Sequence, residues 1–160
     1  MRRAAPLLLF VVLLGTLPAL ANPELDAAFG QSTIVITASR DACYRFDVYL
    51  AIENAQWRRG LMYVKALDPW RGMLFVYPNE GQRSMWMKNT MLPLDMLFIR
   101  ANGRISSIAT NTEPQSLRSI ASVEDVQYVL ELNAGVTQRL AIKPNDSILW
   151  AGDVSQVRAN

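Results

Sequence analysis

Residues 94–110 read LDMLFIRANGRISSIAT, and their pattern decides the fold class. Two apolar-rich runs, 94–100 and 104–110, flank Ala101-Asn102-Gly103. Asn-Gly between such runs predicts a β-hairpin, because both central positions of a type I′ turn need positive φ, which Asn and Gly tolerate best. Working outward, residues 43–52 alternate strictly. Tyr44, Phe46, Val48, Leu50 and Ile52 face one way, and Cys43, Arg45, Asp47 and Tyr49 the other, as in a half-buried strand. Residues 32–38 (STIVITA) are rich in β-branched side chains, and 72–77 (GMLFVY) read as a buried strand ended by Pro78-Asn79-Glu80-Gly81. Further strands are predicted at 83–89, 126–132 and 147–150, with a long polar loop at 111–125.

Two short helices complete the pattern. One covers 53–62, with Asn54 as N-cap and Gly60 as a left-handed stop, and one covers 134–142, with Asn133 as cap. About eight short strands at close spacing with two small helices predict a mainly β protein, either a compact β-sandwich or a partly closed barrel. A parallel α/β sheet needs crossover helices that this pattern lacks.

The N-terminus carries a different signal. Arg2 and Arg3 precede an apolar stretch at 7–14, and Ala19-Leu20-Ala21 fits the small-x-small cleavage rule. The run is too short to span a bilayer, and no cysteine follows it closely enough for a lipid anchor. The expected organisation is a signal peptide at 1–21, a flexible leader at 22–31, a single β-rich domain at 32–152 and a tail at 153–160. Such a chain is exported, to the periplasm or beyond, with no membrane segment in its mature form.

The whole chain has 16 Lys+Arg against 14 Asp+Glu. Setting aside Arg2 and Arg3 leaves the two signs balanced, so there is no electrostatic case for nucleic acid or a membrane surface. Cys43 is the only cysteine, and histidine is absent. That removes Ser-His-Asp and Cys-His catalysis and the common His-based zinc and copper sites. Nothing implies a cofactor, and the domain is expected to act as a monomer.

Five blocks in order carry a family resemblance: Arg59-Gly60-Leu61-Met62, Gly72-Met73-Leu74-Phe75, Trp86-Met87-Lys88-Asn89-Thr90, Pro93-Leu94-Asp95, and Leu130-Glu131-Leu132-Asn133-Ala134-Gly135. Together, over roughly residues 45–150, they resemble the DUF192 family of small, often exported bacterial and archaeal proteins. The resemblance implies a compact β-rich domain with two short helices, and no assigned activity, cofactor or catalytic residue. The chain departs from the expected pattern at Asn145-Asp146, where Gly-Asp would stand.

The candidate site is the stretch from Lys88 to Asp95. Lys88, Asn89 and Thr90 offer donors beside Trp86, with Asp95 close in sequence, a mix that suits a small polar ligand or an envelope partner. Arg59 and Glu131 join this set. A structural account competes: Asn89-Thr90 closes a turn through its own side chains, and Asp95 accepts backbone N–H bonds from the turn at 88–93. Two other classes are open. Met85, Met87 and Met91 offer thioethers to Cu(I), a soft ion, although methionine is also ordinary core filler. Asp95 and Glu131 form a carboxylate pair for a hydrolase only if the fold sets them the right distance apart.

Overall fold

The computed structural model describes residues 22–38 and 42–150, so the expected signal peptide and C-terminal tail lie outside the described residues. In chain order the elements are α1 (Pro23–Ala28), β1 (Gly30–Ala38), β2 (Ala42–Ala51), α2 (Asn54–Arg59), β3 (Arg71–Gly81), β4 (Ser84–Met85), β5 (Leu94–Ile99), β6 (Ile105–Ala109), β7 (Ile120–Ala121), β8 (Val126–Asn133), α3 (Val136–Arg139) and β9 (Ser147–Trp150). Seven strands form one sheet in the order β6-β5-β8-β3-β2-β1-β9, and β4 pairs with β7 in a small second sheet. The large sheet curls until its ends meet. Ser147 of β9 bridges Arg104, just ahead of β6. The amides of Ile105 and Ile148 donate to the carbonyls of Asp146 and Gly103 at 2.9 and 2.8 Å. Closure of this kind hides strand edges that would otherwise pair with other chains.

Both faces of the sheet are apolar. Ile34, Ile36, Phe46, Val48, Leu74, Leu97 and Leu130, drawn from five neighbouring strands, fill the inside of the curl. Tyr49, Met73, Phe75, Met96, Phe98 and Val129 point outward and are covered by Leu25, Phe29, Leu61, Val64 and Met87. This double cover explains why β5 and β8 carry near-continuous apolar runs: every residue of β5 is buried, and all of β8 but its last.

Several local expectations change. Residues 23–28 form a helix where the sequence predicts a loose leader. Asn22 caps it through Leu25 N (3.3 Å), Leu25 and Phe29 are buried, and Tyr49 OH donates to Asp26 at 3.0 Å. Two apolar residues are too few to register as periodicity. The hairpin at 94–110 exists, but its turn is not type I′. Only Gly103 is left-handed (φ 80°), and its amide donates to Arg100 O at 2.9 Å, giving a three-residue loop. A Cβ there would lie 2.7 Å from the carbonyl oxygen of Ile148, so β9 runs directly against this glycine.

The strand predicted at 83–89 shrinks to Ser84–Met85, paired with Ile120–Ala121 inside the predicted loop. Glu53 rather than Asn54 caps α2, in a capping box with Gln56. Asn133 stays in β8, its amide donating to Leu67 O and Asp68 O, and Gly135 precedes α3. One parallel pair, β2–β3, is present, with α2 in its crossover. Asn145, standing where the resemblance expects glycine, adopts φ 74°, a conformation glycine would take freely.

Candidate functional site

β8 places Glu131 opposite Met73 of β3 and Met96 of β5, on the outward face of the curled sheet. The residue is 4% exposed, and no described residue donates a hydrogen bond to it. Burial pushes its carboxyl up to about 8. At neutral pH it is therefore mainly a neutral acid, able to donate one hydrogen bond as well as accept.

Above Glu131 lies a small void of about 20 Å³, bounded by Phe75, Met85, Thr90 and the α2 end. It has room for one water-sized group. Trp57, Arg58, Met62, Met85 and Trp86 border this void and also a wider open cleft of about 530 Å³. One wall of the cleft is α2, with Asn54, Trp57 and Arg58; the other is the segment from Ser84 to Asn89. Tyr77 also lines it, its ring packed against Trp57 at 5.0 Å between centroids and tilted by 39°. Burial raises the Tyr77 phenol to about 12, against the pull of Arg83 and with a further push from Glu131.

Local backbone geometry holds the walls apart at fixed spacing. The Trp57 indole N–H donates to Ala51 O at 2.8 Å, tying α2 to the end of β2. Gly60 turns the chain at φ 47° against Phe75, which a Cβ would approach to 3.1 Å. Tyr63 and Asn89 are both left-handed (φ 67° and 55°). They are joined twice, by Tyr63 N to Asn89 O and by Asn89 Nδ2 to Tyr63 OH, each at 2.9 Å. Two non-glycine residues held in this region, Asn89 in the wall and Tyr63 in the turn after α2, mark a segment whose shape is set by its surroundings. Lys88 Nζ lies 5.0 Å over the Trp86 ring, and Trp86 is 48% exposed.

The fold brings together Arg59, Trp86, Lys88, Asn89, Thr90 and Glu131 around the cleft and its inner void. Asp95 is not among them. It faces the inside of the curl, fully buried, where it accepts bonds from Asn111 N (2.9 Å), Thr137 N (3.0 Å) and Thr137 Oγ1 (2.7 Å). Those donors come from the segment after β6 and from α3, not from the turn at 88–93. Asp95 and Glu131 therefore do not form a hydrolase pair, and Glu131 is the only carboxylate among the described residues lining the cleft or its void.

The three methionines also separate. Met85 borders the cleft and accepts from Tyr77 OH, Met87 borders a second cavity beside Thr112, and Met91 is 47% exposed. Arg59 borders the void but is engaged elsewhere, pairing with Glu24 of α1 at 3.6 Å. Reading the sequence did not pick out Arg58 or Tyr77 as site residues. Arg58 sits within the Arg58-Arg59-Gly60 run, and Tyr77 ends an apolar strand, so neither carries a signal apart from its neighbours.

Comparisons with known proteins follow this geometry. No curated protein matches the chain. A crystal structure from Sinorhizobium meliloti 1021, described as a "putative transcription regulator", is similar at 41% identity with a TM-score of 0.76, covering 78% of this chain and 97% of that one. A protein of unknown function from Novosphingobium aromaticivorans DSM 12444 is similar at 31% identity and a TM-score of 0.71, covering 74% and 84%. The DUF192 family model, described as "Uncharacterized ACR", matches residues 34–150. With both the sequence blocks and the fold in agreement, this chain belongs to the DUF192 family.

Proposed function

We propose that this protein is an exported binding domain that holds a small molecule in the cleft between α2 and the 84–89 segment, without catalysing a reaction on it. One observation carries the reading: Glu131, almost wholly buried, has no hydrogen-bond donor among the described residues and borders a void that opens beside the cleft. Its oxygens are not among the fully sealed unpartnered atoms, so they meet the void, where a guest can supply a hydrogen bond that the protein does not. A lone acid with no second carboxylate, histidine or activated hydroxyl beside it lacks the pair of groups that acid–base hydrolysis needs. Thr90, whose hydroxyl-bearing side chain lines the void, donates to the carbonyl of Lys88 instead. Export is supported by the basic, apolar and small-residue order of residues 1–21.

Native mass spectrometry of the protein purified from its own cell envelope tests the binding reading. A retained small molecule is expected on the wild type and not on Trp86→Ala. A wild type that arrives empty, and that no compound of a broad library stabilises against heat, refutes it. N-terminal sequencing of the same sample is expected to begin at Asn22 if the chain is exported and cleaved.

A further inference from the structure

We propose that the cleft selects planar organic anions, an inference that rests on the binding reading above and names its ligand class. Charge supplies the first argument. Two cations border the cleft, Arg58 and Lys88, and neither forms an ion pair among the described residues, whereas the adjacent Arg59 is paired with Glu24. No Asp or Glu lines the open cleft, so an entering anion meets two positive charges and no negative one. Guanidinium and ammonium groups in a concave, partly apolar setting attract carboxylates and phosphates more strongly than on a flat surface.

Shape supplies the second argument. The Trp57 and Tyr77 rings pack against each other in the lining of the cleft, and Trp86 borders the opposite wall, half exposed. Met62 and Met85 also line the cleft, soft side chains that adapt to a flat guest. Aromatic walls of this kind favour a planar body that can stack. Glu131, which has no hydrogen-bond partner among the described residues and lines the adjoining void, gives the cavity a polar group that a guest can reach. A cationic guest fits less well, because Lys88 over the Trp86 ring and Arg83, 4.1 Å over Tyr77, place positive charge beside both rings and repel it.

Three probes of one skeleton test the class: indole-3-propionate, its amide, and tryptamine, titrated into the ¹⁵N-labelled protein. The carboxylate is expected to shift the indole N–H signal of Trp86 in a saturable way and to bind about tenfold or more tightly than the amide. Tryptamine is expected to bind more weakly than either. The double variant Arg58→Gln, Lys88→Gln, altered only at exposed side chains, is expected to abolish the carboxylate's advantage over the amide when both are measured on that variant. Equal binding of carboxylate and amide to the wild type, a preference for tryptamine, or a carboxylate preference that survives the double variant overturns the proposal. So does the absence of saturable shifts with all three probes up to about 10 mM. That last result still leaves the binding reading to its own test, because a molecule of another class recovered by native mass spectrometry would sustain the cleft while excluding planar anions.

Discussion

Asp95 and Glu131 sit on neighbouring paired strands, one residue out of step: Asp95 faces Leu132 across the ladder, and Glu131 faces Met96. The pleat sends one acid into the curl and the other outward. Both are almost sealed from solvent, at 0% and 4% exposure. Their surroundings then diverge. Asp95 receives three donors and joins the segment after β6 to the start of α3. Glu131 receives none, and a void lies beside it. Burial alone is thus a poor guide to a carboxylate's role. An acid ringed by donors locks the fold, whereas one that faces a void is left to bond whatever enters it.

The largest expected effect comes from breaking the satisfied side. Asp95→Ala strands two backbone amides and the Thr137 hydroxyl without an acceptor, and a loss of about 3–5 kcal/mol is expected in urea unfolding. Asp95→Asn should recover only part of it, because the new NH₂ faces groups that are themselves donors. An unfolding midpoint unchanged in Asp95→Ala would show that these bonds do not hold the barrel together.

The unsatisfied side is expected to show itself through pH. The Glu131 carboxyl rises from an ordinary 4.5 to about 8 in the folded protein. Between those values the folded state keeps a proton that the unfolded chain releases, so stability falls as pH rises through this window and levels off above it. At about 1.4 kcal/mol per unit the loss amounts to a few kcal/mol. Glu131→Gln carries no proton to lose. It should match the wild type near pH 5 and exceed it near pH 9, by melting temperature at each pH. Parallel pH profiles for the two proteins would mean that Glu131 titrates as an ordinary, hydrated acid.

Most of the fold was legible because each strand carries its own evidence: alternation in 43–52, β-branched side chains in 32–38, and Asn-Gly between 94–100 and 104–110. The misread pieces are those set by distant parts of the chain. α1 is held by Tyr49 and Arg71 through Asp26, more than twenty residues away, and β4 exists only because Ile120–Ala121 runs beside it. The site was half legible. Trp86, Lys88, Asn89 and Glu131 stand in blocks that draw the eye, but which acid borders the cleft depends on the phase of β5 against β8. Both strands are buried on both faces, so neither shows the alternation that would assign a face. Arg58 and Tyr77 reach the cleft only through the capping box of α2 and the packing of Trp57.

The smallest effect gives the sharpest form of the comparison, since it removes one hydroxyl beside each acid. Thr137→Val keeps the side-chain shape and the Thr137 amide bond to Asp95 but deletes the 2.7 Å hydroxyl bond. A buried hydrogen bond is worth about 0.5–1.5 kcal/mol net, and a loss near the upper end is expected because this bond is short while two donors to Asp95 remain. Thr90→Val on the other face removes a hydroxyl that bonds the Lys88 carbonyl at 3.3 Å and does not reach Glu131. Its cost should stay below about 1 kcal/mol. Double-mutant cycles then separate the two acids. Thr137→Val with Asp95→Ala should be strongly non-additive, because the hydroxyl has no partner left to lose. Thr90→Val with Glu131→Gln should be additive within about 0.5 kcal/mol. Coupling at Glu131 as large as that at Asp95 would make both acids structural, and the cleft would lose the free carboxyl beside it.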